Sequence, residues 1–514
     1  MMSLSQNWSM TLAELLADYI ASDSLPNVSI KGMTLDSREV QPGYLFVAIK
    51  GNAANGVEFI ARAIERGAAA VLVEQDQVSQ IVDAEVPVIG VEQLGEYVSD
   101  IAGKFFGNPS ASMQLSAVTG TNGKTTCSRL LAELIEGMGT NKAAFIGTLG
   151  YGMVQDAGHA DTGIKDTGLT TPDAIAMQRI LAELAGRSAS TVALEVSSHS
   201  LVQRRVAGLK INTAIFTNLS RDHLDYHGDI NAYAAAKSRL FAMPGLQQAV
   251  INIDDSVGRI ILANLRPEVR GISFSLENSQ ADIYCSTIGL SPEGLRASLV
   301  TPWGQEELNS PLLGKFNLAN LLAVIGAAGA QGFALQDIVR AIPNLRAVPG
   351  RMELVDANAE PAVVVDYAHT PDALEKALEA LRVHCQGQLW VVFGCGGDRD
   401  IGKRAEMGEI AQRCADQIVV TSDNPRTESP EQIIKHILQG ISCDVIVESD
   451  RRAAIRKAIF SADKNDVVLI AGKGHEDYQI LGVERLPFSD QAEARLALRG
   501  LEQKYRDDLS GSVK

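Results

Sequence analysis

The feature that most constrains the fold is a glycine-rich segment that lies between a short apolar run and an amphipathic stretch. Residues 115–119 have the composition of a short buried strand. From residue 130 to residue 138, leucine, isoleucine and methionine recur at helical spacing. The segment between them reads Gly120-Thr121-Asn122-Gly123-Lys124-Thr125-Thr126. Strand, glycine-rich loop and helix in this order predict an α/β domain with a phosphate-binding loop.

The loop carries the groups that a nucleoside triphosphate requires. Backbone N–H groups at a helix N-terminus bind phosphate oxygens, Lys124 is suited to the β and γ phosphates, and the Thr125 hydroxyl is a suitable Mg²⁺ ligand. A glycine-rich turn with an incidental lysine is the alternative. The position of the loop between strand and helix favours ATP binding by residues 120–126.

Composition and charge exclude several classes of protein. The chain has 46 Lys and Arg against 62 Asp and Glu, a formal net charge of -16, which argues against nucleic-acid binding and against anionic membrane surfaces. Its six cysteines form no C-x-x-C pair, and the N-terminus lacks the pattern of a secretory signal. No apolar run approaches the ~20 residues that span a bilayer. We expect a cytoplasmic protein without membrane insertion, and a monomer.

The length of 514 residues and two turn-rich seams predict three α/β domains. The seams, residues 107–112 and 343–350, divide the chain into a small N-terminal α/β domain (1–110), a central P-loop domain with a mostly parallel sheet (111–346) and a Rossmann-like C-terminal domain (347–514). Further strands are predicted at residues 191–196, 213–217, 362–365, 389–393, 417–421 and 466–470. Ligands of such sheets bind at the carboxyl ends of the strands.

Acidic and histidine side chains near these strand ends are candidates for metal chemistry. Glu195 closes a predicted strand and can bind Mg²⁺ beside the loop, unless it is an ordinary surface acid. His223 and His227 have the spacing of a helical metal pair, but no third ligand is evident, which argues against zinc.

The loop departs from the general Walker pattern, because Val118 occupies the place of the first glycine and a glycine follows only at Gly120. This shortened form resembles the Mur ligases and their folylpolyglutamate synthetase relatives. The resemblance extends over nearly the whole chain. It implies an ATP-dependent ligase of peptidoglycan precursor synthesis that activates a carboxylate as an acyl phosphate and joins it to an amine, with Mg²⁺ as cofactor.

The resemblance also implies roles for particular residues of the central segment. Residues 221–227 and 234–237 are similar to the family segment whose lysine becomes carbamylated, which makes Lys237 a candidate; by sequence alone it is a solvated helix lysine. A carbamate offers hard oxygen ligands to a cation. The implied Mg²⁺ ligands are Thr125, Glu195 and Lys237. The implied catalytic residues are Lys124, Glu195, His223 and Lys237.

Substrate-binding residues are likewise implied by resemblance. Taken singly, several of these motifs are ordinary turns. The residues expected to hold a UDP-N-acetylmuramoyl dipeptide are Leu35, Ser37, Asn52, Ala53, Ala54, Thr170, Thr171, Ser197, Gln203 and Arg205. The residues expected to complete the ATP site are Asn317, Arg351 and Asp366.

The most discriminating motif is Asp423-Asn424-Pro425-Arg426, which resembles the amino-acid-selecting loop of the diaminopimelate-adding members. A guanidinium can bind the second carboxylate of meso-diaminopimelate in a bidentate manner, whereas lysine offers none. Arg399, Gly472 and Glu476 match the remaining family contacts to this acceptor. A lysine-adding sibling and a nucleotide-binding relative without turnover stay open as alternatives.

Overall fold

The protein is described by a computed structural model that covers residues 8–21, 25–51, 54–81, 84–139, 141–158, 163–291, 294–356 and 359–511. The chain forms two compact units. One consists of Met1–Ile283 and Ala323–Ala334, and the other of Tyr284–Leu322 and Leu335–Lys514. The predicted three-domain boundaries stay a prediction.

The first unit begins with a four-stranded parallel sheet. Its strands follow chain order and are Gly32–Thr34, Tyr44–Ala48, Ala68–Glu74 and Val88–Val91. Two short strands that precede this sheet in the sequence, Met10–Thr11 and Ser29–Ile30, pair antiparallel with each other. The helices of this region are Leu12–Leu16, Ile60–Glu65 and Leu94–Phe105. Glu74 accepts hydrogen bonds from the N–H groups of Leu94 and Gly95, both at 3.0 Å, so a strand-end carboxylate caps the third helix.

A seven-stranded sheet forms the rest of the first unit. Its spatial order is Arg270–Phe274, Gln248–Asn252, Thr213–Phe216, Gln114–Thr119, Thr191–Glu195, Ala143–Gly147 and Gly150–Met153. Only the last two strands pair antiparallel. The central strands are buried on both faces, which matches their continuous apolar sequence.

Helices cover this sheet, and polar residues start several of them. Asp173 and Asp229 each accept hydrogen bonds from two backbone N–H groups of the helix that follows, and Asp255 accepts one from the N–H of Val257. The helices are Lys124–Gly137, Ala174–Gly186, Ser198–Val202, Leu224–His227, Ile230–Ser238 and Ser256–Ala263. Helix Lys315–Ala330 follows, and its residues are divided between the two units after Leu322.

The second unit contains two larger sheets. Tyr284–Ser291, Gly294–Thr301 and Gly304–Ser310 form an antiparallel meander. The six-stranded sheet has the spatial order Glu353–Leu354, Ala362–Asp366, Val467–Ala471, Leu389–Phe393, Gln417–Val420 and Ile446–Val447. Its first pair is antiparallel and the others are parallel. Tyr478–Leu481 and Glu484–Pro487 form a hairpin.

The six-stranded sheet carries helices and an apolar core on each face. Two of its helices begin with a proline, Pro371 and Pro430, and Asp450 caps the N-terminus of a third. Both residue types are favoured at helix N-termini. The helices of this unit are Leu335–Ala341, Pro371–Arg382, Gly402–Cys414, Pro430–Leu438, Arg451–Ser461 and Asp490–Gly511.

These sheets confirm the predicted α/β class with parallel-rich sheets. Every strand predicted from residue 115 onwards is present within a residue or two of its expected bounds. Within the described residues, no helix combines the length and the apolar character needed to cross a membrane.

Candidate active site

The glycine-rich loop has the backbone conformation that its glycines predict. It connects strand Gln114–Thr119 to helix Lys124–Gly137, and Gly123 has a φ of 86°, in the left-handed region. A Cβ on Gly120 would collide with Thr217 Oγ1, so this position excludes larger residues. The loop therefore presents its backbone at a helix N-terminus, the arrangement that binds phosphate.

Side chains on the neighbouring strand end hold the loop in place. Asn218 Oδ1 accepts a hydrogen bond from the N–H of Asn122 at 2.9 Å, and Thr217 Oγ1 donates to Asn122 O at 2.6 Å. Lys124 Nζ lies over the loop and donates to the carbonyls of Gly120 and Thr121 at 3.0 and 2.9 Å. The ammonium group is thus fixed at the centre of the phosphate loop.

Glu195 is the acidic centre of the site and is 1% exposed. It ends strand Thr191–Glu195, and its Oε2 accepts hydrogen bonds from Thr125 Oγ1 at 3.0 Å and Thr148 Oγ1 at 3.1 Å. Its Oε1 accepts from the N–H of Thr148 at 2.9 Å. A carboxylate and two hydroxyls next to the phosphate loop are the hard oxygen donors that Mg²⁺ prefers.

Lys237 is buried beside the same loop rather than solvated. Its side chain is 1% exposed, its Nζ donates to Gly120 O at 2.7 Å, and Nζ lies 4.3 Å from the centre of the Tyr233 ring. Burial, and then the neighbouring charge of Lys124, hold the pKa of the Lys237 amine well below its ordinary value. The structure thus corrects the interpretation of Lys237 as a solvated helix lysine.

His223 lies in a cluster of aromatic rings that includes Tyr233, the ring that contacts Lys237. Its ring centre is 4.9 Å from that of His199 and 6.2 Å from that of Tyr233, and it flanks the short helix Leu224–His227 with a φ of 52°. His227 Nε2 lies 2.9 Å from Ser198 Oγ. Among the described residues, no group of three or more His, Cys, Asp and Glu side chains is placed to hold a metal ion by itself.

The residues predicted to hold the muramoyl peptide converge on the strand end that carries Glu195. Thr171 Oγ1 donates to Glu195 O at 2.9 Å and accepts from the N–H of Ser197 at 3.1 Å. Arg205 donates to Thr171 O at 2.7 Å and to Gln203 Oε1 at 2.6 and 2.9 Å. The hydroxyls of Thr170 and Thr148 lie within hydrogen-bond distance of each other, at 3.1 Å. The predicted residues of this region therefore form one connected site.

Part of the predicted uridine site is also described. Leu35 and Ser37 follow strand Gly32–Thr34, and Ser37 is buried. Ala54 O accepts a hydrogen bond from the N–H of Gly51 at 2.9 Å. Asn52 and Ala53 lie outside the described residues.

In the second unit, Asp366 ends strand Ala362–Asp366 and accepts a hydrogen bond from the N–H of Met352 at 2.7 Å. Burial raises the pKa of Asp366 to about 6, against the opposing effects of Arg351 and of backbone N–H groups. The Arg351 guanidinium lies 4.6 Å from the centre of the Tyr367 ring. Asn317 is buried in helix Lys315–Ala330, and its amide donates to Leu313 O at 2.8 Å.

The residues predicted for the acceptor amino acid meet at the carboxyl end of the six-stranded sheet. Asn424 Nδ2 donates to Glu476 Oε2 at 2.8 Å, which joins two loops 52 positions apart in sequence. Gly472 has a φ of 120°, in the left-handed region that favours glycine, and a Cβ at this position would lie 2.6 Å from Asp423 Oδ2. Asp423, Asn424 and Glu476 thus line one acidic and amide-rich edge.

Arg426 lies next to a second glycine-rich loop. Its Nη1 donates to Gly397 O at 2.8 Å, and its backbone, with a φ of 53°, pairs with the hairpin through Ile480 and Gly482. Pro425 packs against the same loop, since a Cβ on Gly397 would collide with Pro425 O. Arg399 is exposed in that loop.

Several residues of the site were not predicted. Thr148 bridges Glu195 to Thr170, and Tyr233 lies against Lys237. The position of Thr148 directly after the buried strand Ala143–Gly147 is the one sequence signal that could have identified it. In the second unit, Arg404 binds Glu428 through two hydrogen bonds of 2.8 and 2.9 Å. The Arg404 hydrogen bonds hold the pKa of Glu428 at about 2.

Comparisons with known proteins define the class of protein. The family model described as "Mur ligase middle domain" matches residues 118–328, "Mur ligase, glutamate ligase domain" matches 350–474, and "Mur ligase family, catalytic domain" matches 29–106. The chain belongs to the Mur ligase family. The family resemblance and the ligase class that it implied are confirmed.

Within the family, the chain is similar to UDP-N-acetylmuramoyl-L-alanyl-D-glutamate--2,6-diaminopimelate ligases. It is 47% identical to the ligase of that name from Pseudomonas putida, over 93% of this chain and 96% of the relative. The corresponding ligase from Pseudomonas aeruginosa is 48% identical, over 92% and 96%. A solved structure of a ligase of that name is 38% identical, with a TM-score of 0.71, over 96% of this chain and all of the other.

Proposed function

We propose that this chain uses ATP to join meso-2,6-diaminopimelate to UDP-N-acetylmuramoyl-L-alanyl-D-glutamate in peptidoglycan precursor synthesis. The observation that carries the proposal is the position of Arg426, whose guanidinium is fixed on Gly397 O beside Asn424. A fixed guanidinium at this edge suits an acceptor with a second carboxylate. The names of relatives that are 47% and 48% identical support the same acceptor.

The first chemical step is phosphoryl transfer to the γ-carboxylate of the D-glutamyl residue. Lys124 and the loop N–H groups hold the triphosphate and offset the charge that develops during transfer. Thr125 and Glu195 would hold Mg²⁺, and their hard oxygen donors fit this ion. Bound Mg²⁺ neutralises phosphate charge during the transfer. The amine of diaminopimelate then attacks the acyl phosphate, forms the amide bond and expels phosphate.

Lys237 enters the proposal as a carbamate. Its buried amine has a lowered pKa, and the neutral amine is the form that adds to CO₂. A carbamate in this position is an anion that the neighbouring Lys124 ammonium stabilises, and it offers a further oxygen ligand for Mg²⁺. His223, whose ring lies 6.2 Å from that of Tyr233, belongs to the same catalytic group in this proposal.

The donor substrate is assigned to the connected site around Thr171 and Arg205, since a guanidinium can hold an anionic peptide on a chain with a net charge of -16. The uridine end is assigned to Leu35, Ser37, Asn52, Ala53 and Ala54. Asn317, Arg351 and Asp366 stay predicted ATP contacts, and Arg399 and Gly472 stay predicted acceptor contacts. The expected location is the cytoplasm, and the expected state is a monomer.

The proposal is tested by following phosphate release while each substrate is omitted in turn. We expect phosphate release only when ATP, the nucleotide dipeptide and meso-diaminopimelate are all present. Phosphate release from ATP alone, at the same rate without the nucleotide dipeptide and meso-diaminopimelate, would contradict the ligase mechanism. A complete absence of turnover, with ATP still bound, would favour the non-catalytic relative.

A further inference from the structure

Lys473 is a fully buried lysine with an exposed fraction of 0% at the carboxyl end of the six-stranded sheet. It lies between Gly472 and Gly474, whose φ values of 120° and 54° belong to the left-handed region. A Cβ on Gly474 would lie 2.6 Å from Tyr367 Cβ, so the chain passes through a space that only glycine fits. This backbone directs the Lys473 side chain into the protein.

The Lys473 ammonium joins two of the predicted acceptor-binding residues. Its Nζ donates to Asn424 Oδ1 at 3.0 Å and to Glu476 Oε2 at 2.9 Å. Because Asn424 Nδ2 also donates to Glu476 Oε2, the three side chains form a closed triangle of hydrogen bonds. A buried ammonium requires such partners, since burial without them is costly.

The triangle determines which atoms are left for a ligand. Asn424 Oδ1 is taken by Lys473 Nζ and by the N–H of Ile480 at 3.0 Å, which fixes the orientation of the amide. Glu476 Oε2 receives two donors, and within the described chain no hydrogen bond reaches Glu476 Oε1. One carboxylate oxygen and one amide N–H therefore remain for the ammonium and carboxylate groups of an amino acid.

We propose that Lys473 is a positioning residue that orients Asn424 and Glu476 for the acceptor amino acid, an inference that rests on the proposed function. Without the ammonium, the Asn424 amide can flip and the Glu476 carboxylate can rotate, so the acceptor loses two prearranged partners. Among the described residues, the side-chain hydrogen bonds of this triangle reach none of the residues assigned to ATP or to the nucleotide dipeptide. Removal of Lys473 therefore affects one substrate selectively.

The test compares Lys473→Met with Lys473→Gln and with Lys457→Met, an exposed lysine on helix Arg451–Ser461. In Lys473→Met we expect the KM for meso-diaminopimelate to rise about tenfold or more, as for loss of a charge-assisted hydrogen bond. The KM values for ATP and for the nucleotide dipeptide should change less than about twofold. Lys473→Gln retains a hydrogen-bond donor, so its KM for meso-diaminopimelate should lie between those of the wild type and Lys473→Met. Lys457→Met should have the KM values of the wild type.

A double-mutant cycle separates positioning from a general structural role. Because Lys473 acts in part through Glu476, Lys473→Met should raise the KM for meso-diaminopimelate by a smaller factor in the Glu476→Gln background than in the wild type. An unchanged KM, or an equal rise for all three substrates, would overturn the assignment. If Lys473→Met does not fold, Lys473→Gln carries the same test. A wild-type protein that rejects meso-diaminopimelate but uses another acceptor would overturn the proposed function instead, together with this assignment.

Discussion

Lys237 Nζ donates a hydrogen bond to Gly120 O at 2.7 Å, so a buried amine contacts the first residue of the phosphate loop directly. Gly120 O also accepts from Lys124 Nζ at 3.0 Å. Two lysine side chains thus meet at one carbonyl. Their proximity lowers the pKa of Lys237, after the larger effect of burial, and gives the carbamate proposal its physical basis.

Replacement of Lys237 tests that proposal. We expect Lys237→Ala to reduce turnover by about 100-fold or more, because an oxygen ligand of Mg²⁺ is removed beside the transferred phosphate. In ¹³C-labelled bicarbonate, the wild type should show a carbamate carbon signal that Lys237→Ala lacks. Lys210→Ala, at an exposed lysine, should retain both turnover and signal. Absence of the signal from a fully active wild type would rule out carbamylation.

Glu195 provides a test of the metal site. Glu195→Gln keeps the shape of the side chain but removes its charge, and Mg²⁺ binds a neutral amide more weakly than a carboxylate. We expect the Mg²⁺ concentration for half-maximal phosphate release to rise about tenfold or more. Glu277→Gln, at an exposed acid, serves as the control. The same Mg²⁺ dependence in Glu195→Gln and wild type would exclude Glu195 as a ligand.

Arg426 determines the acceptor in this account. We expect Arg426→Ala to raise the KM for meso-diaminopimelate by about 30-fold, in line with ~2 kcal/mol for a charge-assisted contact, and to leave the KM for ATP unchanged. Arg456→Ala, at an exposed arginine of the same unit, should behave as wild type. Unaltered acceptor selectivity in Arg426→Ala would remove the basis for the diaminopimelate assignment.

The raised pKa of Asp366 predicts how the stability of the folded chain depends on pH. This pKa is raised from 3.8 to about 6, so the folded chain binds more protons than the unfolded chain between these values. The wild type should therefore lose stability relative to Asp366→Asn, by on the order of 2 kcal/mol, as pH rises from about 4 to about 6. Urea unfolding of both proteins at several pH values measures this difference. A difference that is constant with pH, or that grows in favour of the wild type, contradicts the raised pKa.

Local sequence patterns predicted the elements and many of the site residues. The phosphate loop is recognisable because one segment contains its strand, glycines, lysine and helix, and Glu195 because it ends an apolar strand. Thr171 and Arg205 lie at the carboxyl end of strand Thr191–Glu195, the edge at which ligands of such sheets bind.

Contacts between distant segments could not be read from the sequence. Burial of Lys237 depends on packing against a loop 117 positions earlier, and helical periodicity gives no sign of it. By sequence, Lys473 resembles a solvated lysine in a flexible Gly-Lys-Gly segment. Its burial depends on Asn424, a hydrogen-bond partner that lies 49 positions away. Arg404 and Glu428 are similarly separated by 24 positions. Such pairs are defined by the fold as a whole, which a local pattern does not contain.

Acceptor specificity is tested most directly by one competition reaction. The purified wild-type protein is incubated with ATP, Mg²⁺ and the nucleotide dipeptide in the presence of equal concentrations of meso-diaminopimelate and L-lysine, and the products are separated by mass. The position of Arg426 predicts that nearly all of the product carries diaminopimelate, with one phosphate released for each amide bond. A product that carries mainly lysine would contradict the account.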